Sequence, residues 1–173
     1  MRIIGLAGWS GAGKTTLITR LLPLLAARGL RVSTVKHAHS GFDLDRPGKD
    51  SHHHRLSGAT EVLISSERRW ALMHELREEK EASLPALLKH LSPVDLVIVE
   101  GYKREPFPKI EVHRVANGKP LIQPEDDWIV AIAADADMPQ ATVPVIALEA
   151  VDKIAAAIVA EAMPVERLRD QGA

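Results

Sequence analysis

The chain has 173 residues, with 22 Lys+Arg against 23 Asp+Glu and a formal net charge of −1 with His neutral. That length suits one domain with a substantial core, and 46% apolar with 26% charged residues is a globular rather than a disordered composition. The near-zero balance argues against a general nucleic-acid coat, and the lack of cysteine excludes disulfides, thiolate metal sites, iron–sulfur clusters and a cysteine nucleophile.

Residues 1–8 have a short apolar part that runs into a glycine-rich turn, so they read as a first strand rather than a signal segment, and the protein as cytoplasmic. Residues 3–7 are the buried part of that strand. Residues 14–28 carry Leu17, Ile18, Leu21, Leu22 and Leu25 on one helical face, with Gly29 as the stop and Pro23 as a break in the hydrogen-bond ladder. Residues 30–35 read as a second strand, completing a strand–helix–strand unit that normally makes a right-handed parallel crossover. Residues 36–49 break into His, Gly, Asp and Pro, as a loop does, and residues 50–58 suit a short helix. Residues 61–65 and 70–73 read as two short strands around a turn.

Residues 83–91 suit a helix, and residues 96–99 are apolar on both faces, as a central strand requires. That dense apolar stretch, like the others in the chain, is far short of the roughly 18–20 residues of a membrane span. Residues 110–112 read as an edge strand, 129–133 as an inner strand, 143–147 as the last strand and 151–162 as a closing helix. The alternation predicts a three-layer α/β domain over residues 1–163, with residues 164–173 as a polar tail that frays.

The strongest motif is Gly8-Trp9-Ser10-Gly11-Ala12-Gly13-Lys14-Thr15, which fits G-x-x-x-x-G-K-[ST] between a strand and a helix. Such a loop wraps a polyphosphate with its backbone N–H groups, and Gly8, Gly11 and Gly13 permit the close approach. The helix that follows points its positive end at the anion. Lys14 supplies a compact charge to the β and γ phosphates, and the Thr15 hydroxyl is a ligand for Mg²⁺. The expected fold is therefore that of a P-loop NTPase with a mostly parallel central sheet.

A metal-side carboxylate is also needed. Asp95 and Glu100 bracket the 96–99 strand, roughly 16 Å apart at about 3.3 Å per residue, so both cannot serve one ion. Phosphate binds at the carboxyl ends of parallel strands, which selects Glu100, with Gly101 behind it leaving space for a phosphate. Asp95 reads as a structural turn residue. The loop after strand two, with Lys36, His37, Ala38 and His39 and then residues 42–51, is dense in charge. Asp50 is placed to orient water or a metal shell, and Lys36, Lys49 or Arg55 to meet phosphate oxygens. His52, His53 and His54 point about 100° apart on a helix and do not converge on a metal. No N-K-x-D guanine reader is present. Asp135, ending the 129–133 strand segment, is able to accept from the guanine edge, with Asp137 as its competitor.

These segments resemble one family. Gly8 to Thr16, then Val35-Lys36-His37, then Asp45-Arg46-Pro47-Gly48-Lys49-Asp50-Ser51, then Val99-Glu100-Gly101-Tyr102-Lys103, occur in that order. The chain is similar to the molybdopterin-guanine dinucleotide biosynthesis adapter family, from residue 1 to about residue 162. The resemblance implies a GTP-binding homodimer with weak Mg²⁺-dependent GTPase activity. It also implies an accessory role to the molybdenum cofactor guanylyltransferase that joins GMP to molybdopterin, and a sheet extended by mid-chain strands that help form the dimer. By motif, Gly8, Trp9, Ser10, Gly11, Ala12, Gly13, Lys14, Thr15 and Thr16 would hold phosphates. Thr15 and Glu100 would face the metal, and Lys14, Asp50 and Glu100 would serve catalysis. Lys103, Arg104 and Lys109 are able to receive an anionic pterin phosphate, which makes molybdopterin a candidate ligand. Two other readings of the residues are an ATP-dependent small-molecule kinase, with the 37–49 loop as its lid, and a structural adapter with a vestigial loop.

Overall fold

The computed structural model describes residues 1–38 and 41–168, so His39 of the second-strand loop lies outside the described residues. The chain forms two compact units, one of Met1–His37 with the chain from Pro85 onward, the other of Ala38–Leu84.

In the first unit, β1 (Arg2–Ala7), β2 (Val32–Lys36), β5 (Leu96–Glu100), β6 (Lys109–His113), β7 (Ile129–Ala134) and β8 (Val145–Ala147) form one sheet in the order β2-β5-β1-β6-β7-β8. Every neighbouring pair on that path is parallel. The α/β reading with a mostly parallel sheet therefore holds. β1 is central because it is apolar on both faces: Ile3, Ile4 and Leu6 have no more than 1% of their surface exposed. On one face α1 (Lys14–Ala27) packs beside α4 (Val151–Glu161). Leu17, Leu21 and Leu25, one helical turn apart, meet Ile4, Leu6, Ile98, Ile110 and Val112 of the sheet and Ile154 and Ile158 of α4. Pro23 stays inside α1 on its exposed side. On the opposite face Ala7, Ile132, Ala134 and Met138 form a smaller cluster with Leu121 and Ile122.

Three expectations change in this unit. β6 is not an edge strand; it lies between β1 and β7 with all five residues buried. Alternating charge normally marks a half-exposed strand, but here each charge has an internal partner. The Lys109 ammonium meets Asp126 at 3.0 Å, and the Glu111 carboxylate accepts backbone N–H groups of Ile122 and Gln123 at 2.8 and 2.9 Å. Secondly, the start of the expected tail is anchored: β9 (Met163–Pro164) pairs antiparallel with β1, Ile3 opposite Met163, and Leu168 is buried. Residues 169–173 of that tail lie outside the described residues. Thirdly, the helix expected over residues 83–91 is only α3 (Leu84–Leu88).

The second unit holds α2 (Asp50–Leu56) and the hairpin of β3 (Glu61–Ser65) and β4 (Trp70–His74), with Leu63 opposite Leu72. These mid-chain strands, expected to extend the central sheet, form a two-stranded sheet of their own within the chain. Arg55 organises the unit. Its guanidinium donates to Asp45 at 3.0 and 3.1 Å and to Asp43 at 2.8 Å, with Glu75 at 3.6 Å.

Candidate phosphate-loop site

The loop joining β1 to α1 turns at Gly8, Gly11 and Gly13, all with positive φ. Two of these positions show why glycine is needed. At Gly8 φ is 144°, and a Cβ would stand 2.5 Å from the carbonyl oxygen of Val112. Gly13 is the N-cap of α1 in the left-handed region (φ 95°, ψ 17°), so the helix opens directly out of the turn. Ala12 is buried beneath the loop, whereas Trp9, Ser10, Gly11, Thr15 and Thr16 face solvent.

Lys14, the first residue of α1, folds back over the loop. Its ammonium donates to the carbonyl oxygens of Gly8 at 2.9 Å and Trp9 at 3.1 Å. Burial pushes its pKa down from the ordinary 10.5; Glu100 opposes that, and Lys103 and Lys36 push it further down. The sheet explains the grouping, since Glu100 ends β5 level with Leu6 of β1 on one side and Lys36 of β2 on the other. Glu100 is half-buried at the carboxyl end of the sheet, the end from which the glycine-rich turn leaves β1. Asp95, at the opposite end, accepts the Arg31 backbone N–H at 2.8 Å, which fits its reading as a turn residue. Gly101 makes room for a neighbour: a Cβ there would meet His37 Cβ at 2.8 Å.

The Trp9 indole N–H donates to the carbonyl oxygen of Pro120 at 2.8 Å, and the Lys103 ammonium lies 4.6 Å from the centroid of the Trp9 ring. Asp135 follows β7. Its Oδ1 accepts the Val115 backbone N–H at 3.0 Å, and its Oδ2 lies 3.7 Å from the Arg114 guanidinium. Asp135 and Asp137 line a cavity of about 440 Å³ with Val145, Leu148 and Glu149, at the carboxyl ends of β7 and β8.

Two residues thought able to meet an anion are committed elsewhere. Lys109 is buried and paired with Asp126, so a pterin phosphate cannot reach it. Arg55 is held by carboxylates of the second unit. Asp50 is exposed in the first turn of α2, where a carboxylate favours the helix dipole. Arg114, Asn117 and Glu111 escaped the sequence reading. Only Glu111 leaves a trace there, as an acid inside an apolar run. The contacts of Arg114 and Asn117 are made across the fold, and no local pattern encodes them.

Among known proteins, the family model described as molybdopterin guanine dinucleotide synthesis protein B matches residues 3–135. The chain is 42% identical over 136 residues to the molybdopterin-guanine dinucleotide biosynthesis adapter protein of Escherichia coli (strain K12), covering 77% of this chain and 78% of that one. It is 43% identical over 136 residues to the adapter protein of Haemophilus influenzae (strain ATCC 51907 / DSM 11121 / KW20 / Rd), covering 77% and 74%. A crystal structure of molybdopterin-guanine biosynthesis protein B superimposes with a TM-score of 0.73 at 32% identity, covering 91% of this chain and 98% of that one. A Bacillus subtilis MobB structure, at 23% identity and a TM-score of 0.69, shares the fold. A phosphate-loop motif with its lysine in place, on a parallel sheet of this order and with relatives of this kind, leads to one conclusion: the chain belongs to the MobB family, the adapters of molybdopterin guanine dinucleotide biosynthesis.

Proposed function

We propose that this adapter binds Mg²⁺–GTP on the Gly8–Gly13 turn, hydrolyses it slowly and, as a cytoplasmic homodimer, assists the guanylyltransferase that joins GMP to molybdopterin. The observation that carries the reading is the Lys14 ammonium. It is held over the glycine turn by two carbonyl oxygens that a phosphate chain would replace. In this reading Gly8, Trp9, Ser10, Gly11, Ala12, Gly13, Lys14, Thr15 and Thr16 surround the phosphates.

The donor set fits Mg²⁺. Thr15 offers an exposed hydroxyl in the first turn of α1, and Glu100 offers a half-buried carboxylate. Both are hard oxygen donors of the kind that binds this ion beside phosphate and water. When bound, the metal would neutralise phosphate charge. Lys14 would meet the phosphate oxygens as a compact charge, and Glu100 would face the ion from the end of β5. The cavity beside Asp135 supports guanine recognition, because a carboxylate accepts from guanine N1 and N2 and repels the acceptor at adenine N1. It lies at the same sheet end as the phosphate loop. The homodimer is supported by the outward face of the hairpin, where Leu63 is 62% and Trp70 65% exposed with Leu72 beside them. Lys103 and Arg104 remain available to an anionic pterin. No helix among the described residues is long and apolar enough to cross a membrane.

Calorimetry with GTP and ATP, each with and without Mg²⁺, tests the reading. Tight binding of GTP that depends on Mg²⁺ and exceeds that of ATP is expected. Asp135→Asn should narrow the preference for GTP over ATP by about tenfold, the worth of one charge-assisted hydrogen bond. Equal binding of both nucleotides by the wild type would refute guanine specificity, and no binding of either would refute the site.

A further inference from the structure

We infer, resting on the nucleotide reading above, that residues 114–120 act as a strap that holds the phosphate loop in its anion-binding shape. Arg114, Asn117 and Asp135 are its positioning residues.

The strap meets the loop at three separate points. The Arg114 side chain lies against Gly13, its Nε 3.1 Å from where a Cβ would stand. The Asn117 amide donates from Nδ2 to the Ser10 carbonyl oxygen at 2.9 Å, and its Oδ1 lies 2.9 Å from the Cβ position of Gly11. The Pro120 carbonyl oxygen accepts from the Trp9 indole at 2.8 Å. Its two ends are themselves tied down. Asp135 accepts from Val115 and pairs with Arg114, and the buried Glu111 carboxylate accepts from Ile122 and Gln123 just beyond the strap.

Glycine-rich chain loses more conformational freedom on ordering than any other. A loop whose amides must all face one anion therefore binds better when that freedom is removed beforehand. The strap supplies that order through its contacts to Ser10, Gly11 and Gly13. Asn117 suits the task because an amide can donate to a carbonyl, whereas a carboxylate there would repel it. Asp135 then has two connections, facing the cavity beside β7 and fixing the strap at its start. Loosening Asp135 must weaken phosphate binding even for a ligand that has no base.

The test uses the full-length protein and two ligands in calorimetry: Mg²⁺–GTP, and Mg²⁺–tripolyphosphate, which has neither base nor sugar. Trp9→Phe should weaken both ligands by about 5- to 10-fold, the loss of one hydrogen bond that orders the loop, and Asn117→Asp by more, because its carboxylate also repels the Ser10 carbonyl and the phosphates. Asp135→Ala should weaken tripolyphosphate as well as GTP. Thermal unfolding without ligand provides the control, since a merely structural role lowers the midpoint and leaves the affinity of the folded protein unchanged. Trp9→Phe keeps an aromatic side chain, smaller than the indole, and removes the N–H donor, so it remains informative if Asn117→Asp does not fold. Wild-type binding with unchanged affinity in Asn117→Asp and Trp9→Phe overturns the strap alone. Loss of GTP binding with intact tripolyphosphate binding in Asp135→Ala overturns the role of Asp135. A wild type that binds neither ligand removes the nucleotide reading and the strap together.

Discussion

Replacing Lys14 by alanine separates two roles of one ammonium group. In the ligand-free chain it donates to the carbonyl oxygens of Gly8 and Trp9. Trp9 is exposed, so water can replace the lost donor there, but Gly8 is buried, so the variant should lose about 1–2 kcal/mol of stability. With a triphosphate bound, the carbonyl contacts exchange for phosphate oxygens and the hydrogen-bond count cancels. What remains is the attraction between unit charges, about 4 kcal/mol at 4 Å with an effective dielectric near 20. The group is half-exposed, so screening reduces this to roughly 2–3 kcal/mol. At 1.36 kcal/mol per decade the affinity for Mg²⁺–GTP should fall about 30- to 150-fold. Titration calorimetry reads the affinity, and urea unfolding without nucleotide reads the stability. The pKa of Lys14 is pushed below 10.5 chiefly by burial. The advantage of the wild type should therefore shrink as the pH rises through that lowered value, while the variant stays flat. An affinity within threefold of wild type, or a stability loss larger than the binding loss, would refute the reasoning.

Glu111→Gln should destabilise the fold by about 1–3 kcal/mol, because an amide cannot accept from both the Ile122 and Gln123 N–H groups. Burial raises the pKa of Glu111 from 4.5, so the folded state holds its proton more firmly than the unfolded chain. Its contribution to stability must then fall as the pH climbs from 4.5 through the raised value, and the wild-type-minus-variant difference in unfolding curves reads that slope. Asp126→Asn leaves the buried Lys109 ammonium without its counter-charge and should cost roughly 3–5 kcal/mol in denaturant unfolding; a loss below 1 kcal/mol would contradict the pairing. Gly8→Ala forces a Cβ to 2.5 Å from the Val112 carbonyl, and should lower the unfolding midpoint and abolish nucleotide binding together.

What could be read from the chain follows from the range of the forces involved. β1, α1 and β5 were legible because burial on both faces, or on one helical stripe, leaves a local period in the residues themselves. The Gly8–Lys14 turn was legible because a tight backbone path admits few residue types. Lys109 and Glu111 misled, since the partners that make their burial tolerable stand 17 and about 11 residues away in a segment with no regular pattern. Arg114 and Asn117 were illegible for the same reason on a larger scale: Asn117 bonds Ser10 across 107 residues of chain. The second-strand loop offered Arg55 as a phosphate ligand, but Asp45 and Asp43 lie close enough in space to claim it first.

The parallel order of the sheet converts these scattered residues into one electrostatic feature. Lys36 ends β2, Lys103 follows β5, Lys14 follows β1 and Arg114 follows β6, so four adjacent strands each deliver a cation at or beyond their carboxyl ends. Glu100 on β5 and Asp135 after β7 are carboxylates set among them, with Asp137 and Glu149 further along at the ends of β7 and β8. Among the described residues, four cations are thus gathered at one end of the sheet on a chain whose net charge is −1. The charged form of Lys14 is disfavoured chiefly by burial, with Glu100 opposing and Lys103 and Lys36 adding smaller repulsions. A rigid apolar core can hold such charges close without letting them relax apart, and a polyanion placed among them removes the repulsion as it binds. Binding and folding stability are then linked: a ligand at 100 times its Kd adds about 2.7 kcal/mol to the folded state. The charge arrangement therefore favours the nucleotide-loaded protein both as the binding species and as the more stable one.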